Sequence, residues 1–186
     1  MVQSTGTKKL KCAVFISGTG SNLKSLIQFA KKKNSPISIE LIISDNPKAK
    51  GLKFGKIFKI SKKVFNYKNK IIAEKQIISE IENKKIKLIC LAGFMRILTY
   101  HFIKSFNGKI LNIHPSLLPK YRGLNTHQRA LDAGEREGGA TVHFVTADLD
   151  EGPGILQTPV PIEHGDTAAS LASRVLPFEH KLYPHA

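Results

Sequence analysis

Short apolar runs alternate with longer amphipathic stretches over the first two thirds of this chain, and few folds tolerate that pattern. Cys12-Ala13-Val14-Phe15-Ile16 is apolar at every position, as expected of a strand covered on both faces. A helix is expected from Asn22 to about Lys33, with Leu23, Leu26, Ile27 and Ala30 along one side. Ile37 to Ile43 reads as a second strand, closed by Asp45-Asn46-Pro47. Lys56 to Ile60 reads as a short third strand. Lys68 to Asn83 reads as a helix with Ile71, Ile72, Ile78 and Ile81 at helical spacing. Leu88 to Ala92 and Ile110 to Ile113 read as further strands. Parallel strands need a crossover between them, usually a helix, so this order implies a mostly parallel sheet. The expected fold class is α/β: a single domain, with a mostly parallel twisted sheet and helices on both faces, Rossmann-like in kind.

The second half is less regular. Thr126 to Ala133 reads as a helix that starts at a Thr cap and stops before Gly134. Thr141 to Thr146 alternates like a strand with one wet face, and Ile155 to Ile162 reads as an edge strand because it holds two prolines. Thr167 to Leu182 reads as a last helix, which Pro177 should kink or interrupt. A length of 186 residues suits one domain, placed at 11–186, behind a loose polar leader at 1–10. No run is long and apolar enough to span a bilayer, and no apolar signal core follows the first residues. Cys12 and Cys90 lie in apolar runs and read as core thiols in a reducing compartment, hence a cytoplasmic protein.

The net charge of +15 raises the question of nucleic acid. Residues 1–110 carry 23 Lys and Arg against 5 Asp and Glu, whereas residues 111–186 carry 6 against 9. The excess is nearly all lysine, scattered and without interleaved aromatics, whereas nucleic-acid sites favour arginine forks and stacking rings. A solvated lysine surface is therefore the expectation. The partners expected are small molecules, with neither a membrane nor a nucleic acid among them, and the chain is expected to be a monomer or a homodimer.

In open parallel sheets ligands bind beyond the carboxyl ends of the strands, and the chemically interesting residues fall there. Ser17-Gly18-Thr19-Gly20-Ser21-Asn22 joins the first strand to the first helix, and its glycines, amides and helix start suit a phosphate. It equally suits a plain turn capped by Ser or Asn. Leu91-Ala92-Gly93-Phe94-Met95-Arg96-Ile97-Leu98 reads either as core packing or as an apolar slot for a heteroaromatic ring. Asn112 and His114 are two apart, so on a strand they share a face, and an amide beside an imidazole can steady an oxyanion and move protons. The acidic, glycine-rich loop after Val142-His143-Phe144 carries Asp150, which could fix the tautomer of His114, or could be one more solvated acid beside Asp148 and Glu151. His127, His143 and the nearby acids fit no familiar zinc spacing, so no metal is expected.

Four segments in this order closely resemble the phosphoribosylglycinamide formyltransferases, folate-dependent enzymes of purine synthesis. These are Ile16 to Leu23, Leu91 to Leu98, Leu111 to Tyr121 and Val142 to Gln157, and the likeness runs from about Lys11 onward. It implies formyl transfer from 10-formyltetrahydrofolate, as co-substrate, to the amine of glycinamide ribonucleotide, without metal. It assigns catalysis to Asn112, His114 and Asp150. It places the substrate phosphate at Gly20, Ser21 and Asn22, in a ribonucleotide site that takes in Gly18, Thr19 and Glu179. It gives the folate to Lys68, Met95, Arg96, Ile97, Leu98, Asn112 and Thr146. Lys68 stands where the family has an arginine, which keeps the charge and loses the fork. Asn125 stands where relatives often have histidine, Asp150-Glu151-Gly152 replaces a more usual Asp-Gly-Gly, and relatives usually continue for some tens of residues past Ala186. Formyltransferases acting on initiator methionyl-tRNA share the Asn-x-His-Pro-Ser-Leu-Leu-Pro segment but carry an added nucleic-acid-binding domain. Formyltetrahydrofolate hydrolases usually add an N-terminal regulatory domain. A non-catalytic basic nucleotide- or RNA-binding protein is the alternative from another class.

Overall fold

In a computed structural model, which describes residues 9–186, the first apolar run forms an interior strand of the sheet, β1 (Leu10–Ile16). The expected leader lies outside the described residues as far as residue 8, and Leu10 already belongs to β1. The chain continues through α1 (Ser21–Ala30), β2 (Ile37–Ser44), a 3₁₀ turn (Lys50–Leu52), α2 (Lys53–Phe58), β3 (Ser61–Val64), α3 (Lys70–Asn83) and β4 (Leu88–Leu91). Then come α4 (Tyr100–Ser105), β5 (Lys109–His114), α5 (Thr126–Asp132), β6 (Glu137–Phe144), β7 (Gly154–Pro161), α6 (Ala168–Leu182) and a last 3₁₀ turn (Tyr183–His185). One seven-stranded sheet results, in the order β3-β2-β1-β4-β5-β6-β7. The first five strands are parallel, and β6 and β7 are antiparallel.

The alternation of side chains along each strand feeds two cores. Ala13, Phe15, Leu41, Ile43, Ile89 and Ile110 face α3 and α4. Cys12, Val14, Ile16, Ile42, Leu111 and Ile113 face α1, the 50–52 turn and α2. A smaller cluster of Ala140, Val160, Leu171 and Val175 seats α6 on the antiparallel end. The Cys12 and Cys90 sulfurs lie 3.6 Å apart, well beyond a disulfide bond, and both cysteines are buried free thiols.

Several local expectations differ from the structure. Lys56 to Ile60 is not a strand: its first three residues finish α2, and the edge strand is the lysine-bearing β3, exposed at all four positions. Phe54, Ile57 and Phe58 imitate a short apolar run, and charged edge strands give little hydrophobic signal. On α3 the buried face is Ala73, Glu74, Ile77 and Ile81, while Ile71 and Ile72 are 62% and 54% exposed. Neither short helix start is capped as expected: the residue before α1 is Gly20, the residue before α5 is Asn125, both left-handed, and neither gives a side-chain cap. β6 begins at Glu137, earlier than read, and is buried on both faces from Gly138 to His143 because α6 covers it. Pro177 sits inside α6 without ending it, and α4 was not foreseen.

The choice of face on α3 is testable. Ile77→Ala should lower stability by about 2–5 kcal/mol, read as a lower urea midpoint at unchanged slope. Ile71→Ala should stay within about 0.5 kcal/mol of the parent.

Candidate active site

The carboxyl ends of β1, β4 and β5 open into a cavity of about 500 Å³, walled by the loops that follow them and by the 145–150 loop after β6. At its floor β5 presents Asn112 and His114 on one side, the side of Ile110. Asn112 pairs directly with His143 across the antiparallel ladder, so those two side chains share that side as well.

Asp150 closes the constellation from the loop after β6. Its Oδ2 lies 3.3 Å from His114 Nδ1 and accepts from the Gly123 amide at 3.0 Å. Its Oδ1 accepts from Asn112 Nδ2 at 3.4 Å and lies 3.6 Å from His143 Nε2. Both carboxylate and imidazole of the His114–Asp150 pair are over nine-tenths buried. Burial works to raise the pKa of Asp150. Hydrogen bonding from His143 and Gly123, with the charge of His114, outweighs it and holds the carboxyl below its usual range. The other nitrogen of His114, Nε2, is 3.0 Å from the Tyr121 carbonyl oxygen, so each ring nitrogen faces an acceptor. Tyr121, Asn125 and Asp150 all hold left-handed backbone, with φ of 58°, 56° and 53°. Such conformations cost non-glycine residues energy and cluster where geometry is imposed by function.

At the other end of the cavity, Asn22 Nδ2 donates to Glu179 Oε2 at 2.6 Å, tying α1 to α6, while Asn22 Oδ1 is buried without a partner. Burial raises the pKa of Glu179 against the opposing effect of that bond. Gly20, at φ 74°, precedes α1 and offers no side-chain oxygen to its first turn; a β-carbon there would meet Gly51 Cα at 2.7 Å. The 50–52 turn thus packs against the 17–22 turn, and the Gly51 amide donates to the Gly18 carbonyl. Gly18, Thr19, Gly20 and Ser21 lead to the cavity without lining it, whereas Asn22 and Glu179 line it.

Met95, Arg96, Ile97 and Leu98 all line the cavity, and they divide by exposure. Met95 and Ile97 are more than half exposed, while Leu98 is sunk in the core beneath α3. The loop is held by polar contacts that the sequence did not reveal. The Met95 amide donates to Ser17 Oγ at 2.8 Å, Ser17 donates to Asp45, and Asp45 takes Arg96 Nε at 2.6 Å. Thr146 also lines the cavity. Lys68 does not. It is exposed on the turn before α3, and its amide donates to Asn66 Oδ1.

Asn112, His114 and Asp150 therefore meet, from two segments separated by 36 residues, as the pattern of residues had suggested. His143 and Gly123 were missed as members of the site. A histidine inside a buried strand was the available signal for His143, but only the hairpin register sets it against Asn112. Among the described residues no group of three or more His, Cys, Asp or Glu side chains is placed to hold a metal ion, and no helix is long and apolar enough to cross a membrane.

Residues 10–186 match the formyl transferase family. The chain is 44% identical to phosphoribosylglycinamide formyltransferase of Haemophilus influenzae, over 94% of this chain and 84% of that protein. It is 46% identical to the human trifunctional purine biosynthetic protein adenosine-3, over 96% of this chain but only 18% of the human protein's length. Among solved structures, phosphoribosylglycinamide formyltransferase of Brucella melitensis superposes with a TM-score of 0.90 at 46% identity, over 96% of this chain and 93% of that one.

Proposed function

The chain belongs to the formyl transferase family, and from that membership we propose that its cavity moves a formyl group from 10-formyltetrahydrofolate to the amine of glycinamide ribonucleotide, a step of purine synthesis. The observation that carries the reading is the Asp150 carboxylate reaching both Asn112 and His114 in a cavity that Asn22 and Glu179 share. A folate fits what surrounds it: Met95, Ile97 and Val145 offer apolar surface to a flat ring, and the loop backbone between them offers hydrogen bonds. When bound, the folate supplies the activated formyl group. We assign the ribonucleotide to the Gly18–Asn22 turn and Glu179, with its phosphate over the start of α1.

The residues then divide the chemistry. Asn112 donates an N–H to the formyl oxygen as charge gathers there under attack by the amine. His114, its Nδ1–H held by Asp150, supplies positive charge beside that oxygen and moves the proton that the amine must lose and the departing nitrogen must gain. Holding both substrates in one cavity removes the entropic cost of an encounter, worth up to about 7–11 kcal/mol. This chemistry needs no metal, and we place it in the cytoplasm. No observation favours the initiator-tRNA, hydrolase or RNA-binding alternatives. The test mixes the purified protein with 10-formyltetrahydrofolate and either glycinamide ribonucleotide or initiator methionyl-tRNA. Donor loss should require the ribonucleotide. Loss only with the tRNA, equal loss with water alone, or no loss would overturn the reading.

A further inference from the structure

The 93–98 loop contains no helix or strand, yet it forms the wall assigned to the folate, so groups outside it must hold its shape. Two neighbouring strand ends do so. Past β1, the Ser17 amide donates to the Gly93 carbonyl at 3.0 Å. The Ser17 hydroxyl oxygen accepts from the Met95 amide at 2.8 Å and gives its own hydrogen to Asp45 Oδ1 at 2.5 Å. Asp45, the residue after β2, accepts from Arg96 Nε on its other oxygen at 2.6 Å. Its side chain is 4% exposed and does not line the cavity, so whatever it does for a ligand runs through the loop.

Both groups that reach Asp45 are donors. A carboxylate accepts on both oxygens and serves the two at once. By taking the hydroxyl hydrogen it also leaves the Ser17 oxygen to accept from the Met95 amide. The Arg96 guanidinium is fixed from a second direction, because its carbon lies 5.9 Å from the centre of the Tyr67 ring, which Phe94 meets edge-on at 5.6 Å. A wall fixed before binding spares the ligand the cost of ordering it. The far end of the loop has a separate tie, from Thr99 to Glu74, so loss of Asp45 would loosen the loop without releasing it.

We propose that Asp45 is a positioning residue for the folate: its buried carboxylate sets the Met95 amide and the Arg96 side chain, and with them the face that the loop turns to the cavity. The proposal rests on the formyl-transfer reading given above. The defect it implies is confined to the folate side, because the Gly18–Asn22 turn has ties of its own. Asn46 Nδ2 donates to the Ser17 carbonyl at 3.1 Å, and the Gly51 amide donates to the Gly18 carbonyl at 3.0 Å.

Asp45→Asn is the sharpest probe. It keeps the shape, but its one oxygen can serve only one of the two donors, and its NH₂ opposes the other. KM for 10-formyltetrahydrofolate should rise about tenfold to a hundredfold, the usual worth of a hydrogen bond to a charged group. In the same variant kcat, and KM for the ribonucleotide, should each stay within about threefold of the parent. The dissociation constant of tetrahydrofolate, measured by calorimetry without ribonucleotide, should rise in step with the donor KM. Ser17→Ala keeps the Arg96–Asp45 pair and cuts only the Met95 tether, so its effect should have the same pattern and a smaller size. The double variant should fall short of the product of the two single effects. Ser17→Ala also carries the test if Asp45→Asn fails to fold. Unchanged donor KM and tetrahydrofolate affinity in both variants of an active parent, or equal losses on the two substrates, would overturn the role of Asp45. An inactive parent would instead overturn the formyl-transfer reading.

Discussion

Asp150→Asn should leave a folded protein whose turnover is lower by about two to four orders of magnitude, the usual worth of a positioned acid–base group. The substitution keeps the shape of the side chain and its bond from the Gly123 amide, and removes the charge that faces His114 and His143. Dissociation constants for the ribonucleotide and for a non-reactive folate analogue should move little, since the carboxylate contacts the catalytic side chains and not the surfaces assigned to either substrate. His114→Ala should lose a comparable amount, and the pair together should lose no more than the worse of the two. Near-normal turnover in either single variant would remove the assignment. Stability gives an independent check. The folded-state pKa of Asp150 is depressed, so its ionised form stabilises the fold above the unfolded carboxyl value near 3.9. That contribution disappears as pH falls through the lower folded-state value. The urea midpoint of Asp150→Asn should therefore lie a constant interval below the parent from pH 7 to about pH 5, and the interval should close below about pH 4.

How much of this was legible beforehand follows from where the information sits. β1, β2, β4 and β5 send apolar side chains to both faces because helices cover both, and such runs announce themselves. The two-residue step from Asn112 to His114 is likewise local: once β5 is a strand, the shared face follows. α3 shows the limit of that reasoning. Four isoleucines span more than one stripe, and the decision between them belongs to Glu74. It turns inward because its carboxylate takes both the amide and the hydroxyl of Thr99 ahead of α4. That bond joins residues 25 apart, and no window of sequence contains it. The same holds for Asp45, whose grip on Ser17 and Arg96 steadies the 93–98 loop from another strand's end. Lys68 is a different case: its assignment rests on family likeness alone, and it stands exposed on the turn before α3, outside the lining of the cavity.

Gly152→Ala should be nearly as damaging as loss of Asp150 itself, through backbone alone. A β-carbon built on Gly152 would stand 1.7 Å from the Phe144 carbonyl oxygen, inside any tolerable contact, so the two strands at the mouth of the β6–β7 hairpin must part. Two functions hang on that carbonyl's position. It anchors Nδ1 of His143, and its neighbouring amide pairs with the Pro153 carbonyl to close the loop that carries Asp150. A shift of even 1 Å there moves the carboxylate relative to His114, and misplacements of that size cost about a hundredfold in rate. Alanine at 152 should thus lower kcat by about a hundredfold. It should also lower the melting temperature by roughly 2–8 °C, as a cost of about 1–2 kcal/mol implies for a chain of this length. Alanine at Gly154, two residues on, is the control. Its β-carbon would meet only the Thr141 methyl, at an ordinary 3.9 Å, and activity and melting temperature should both stay near the parent's. Equal behaviour of the two variants would mean that the loop tolerates displacement of its base, and the link from Phe144 to Asp150 would fall.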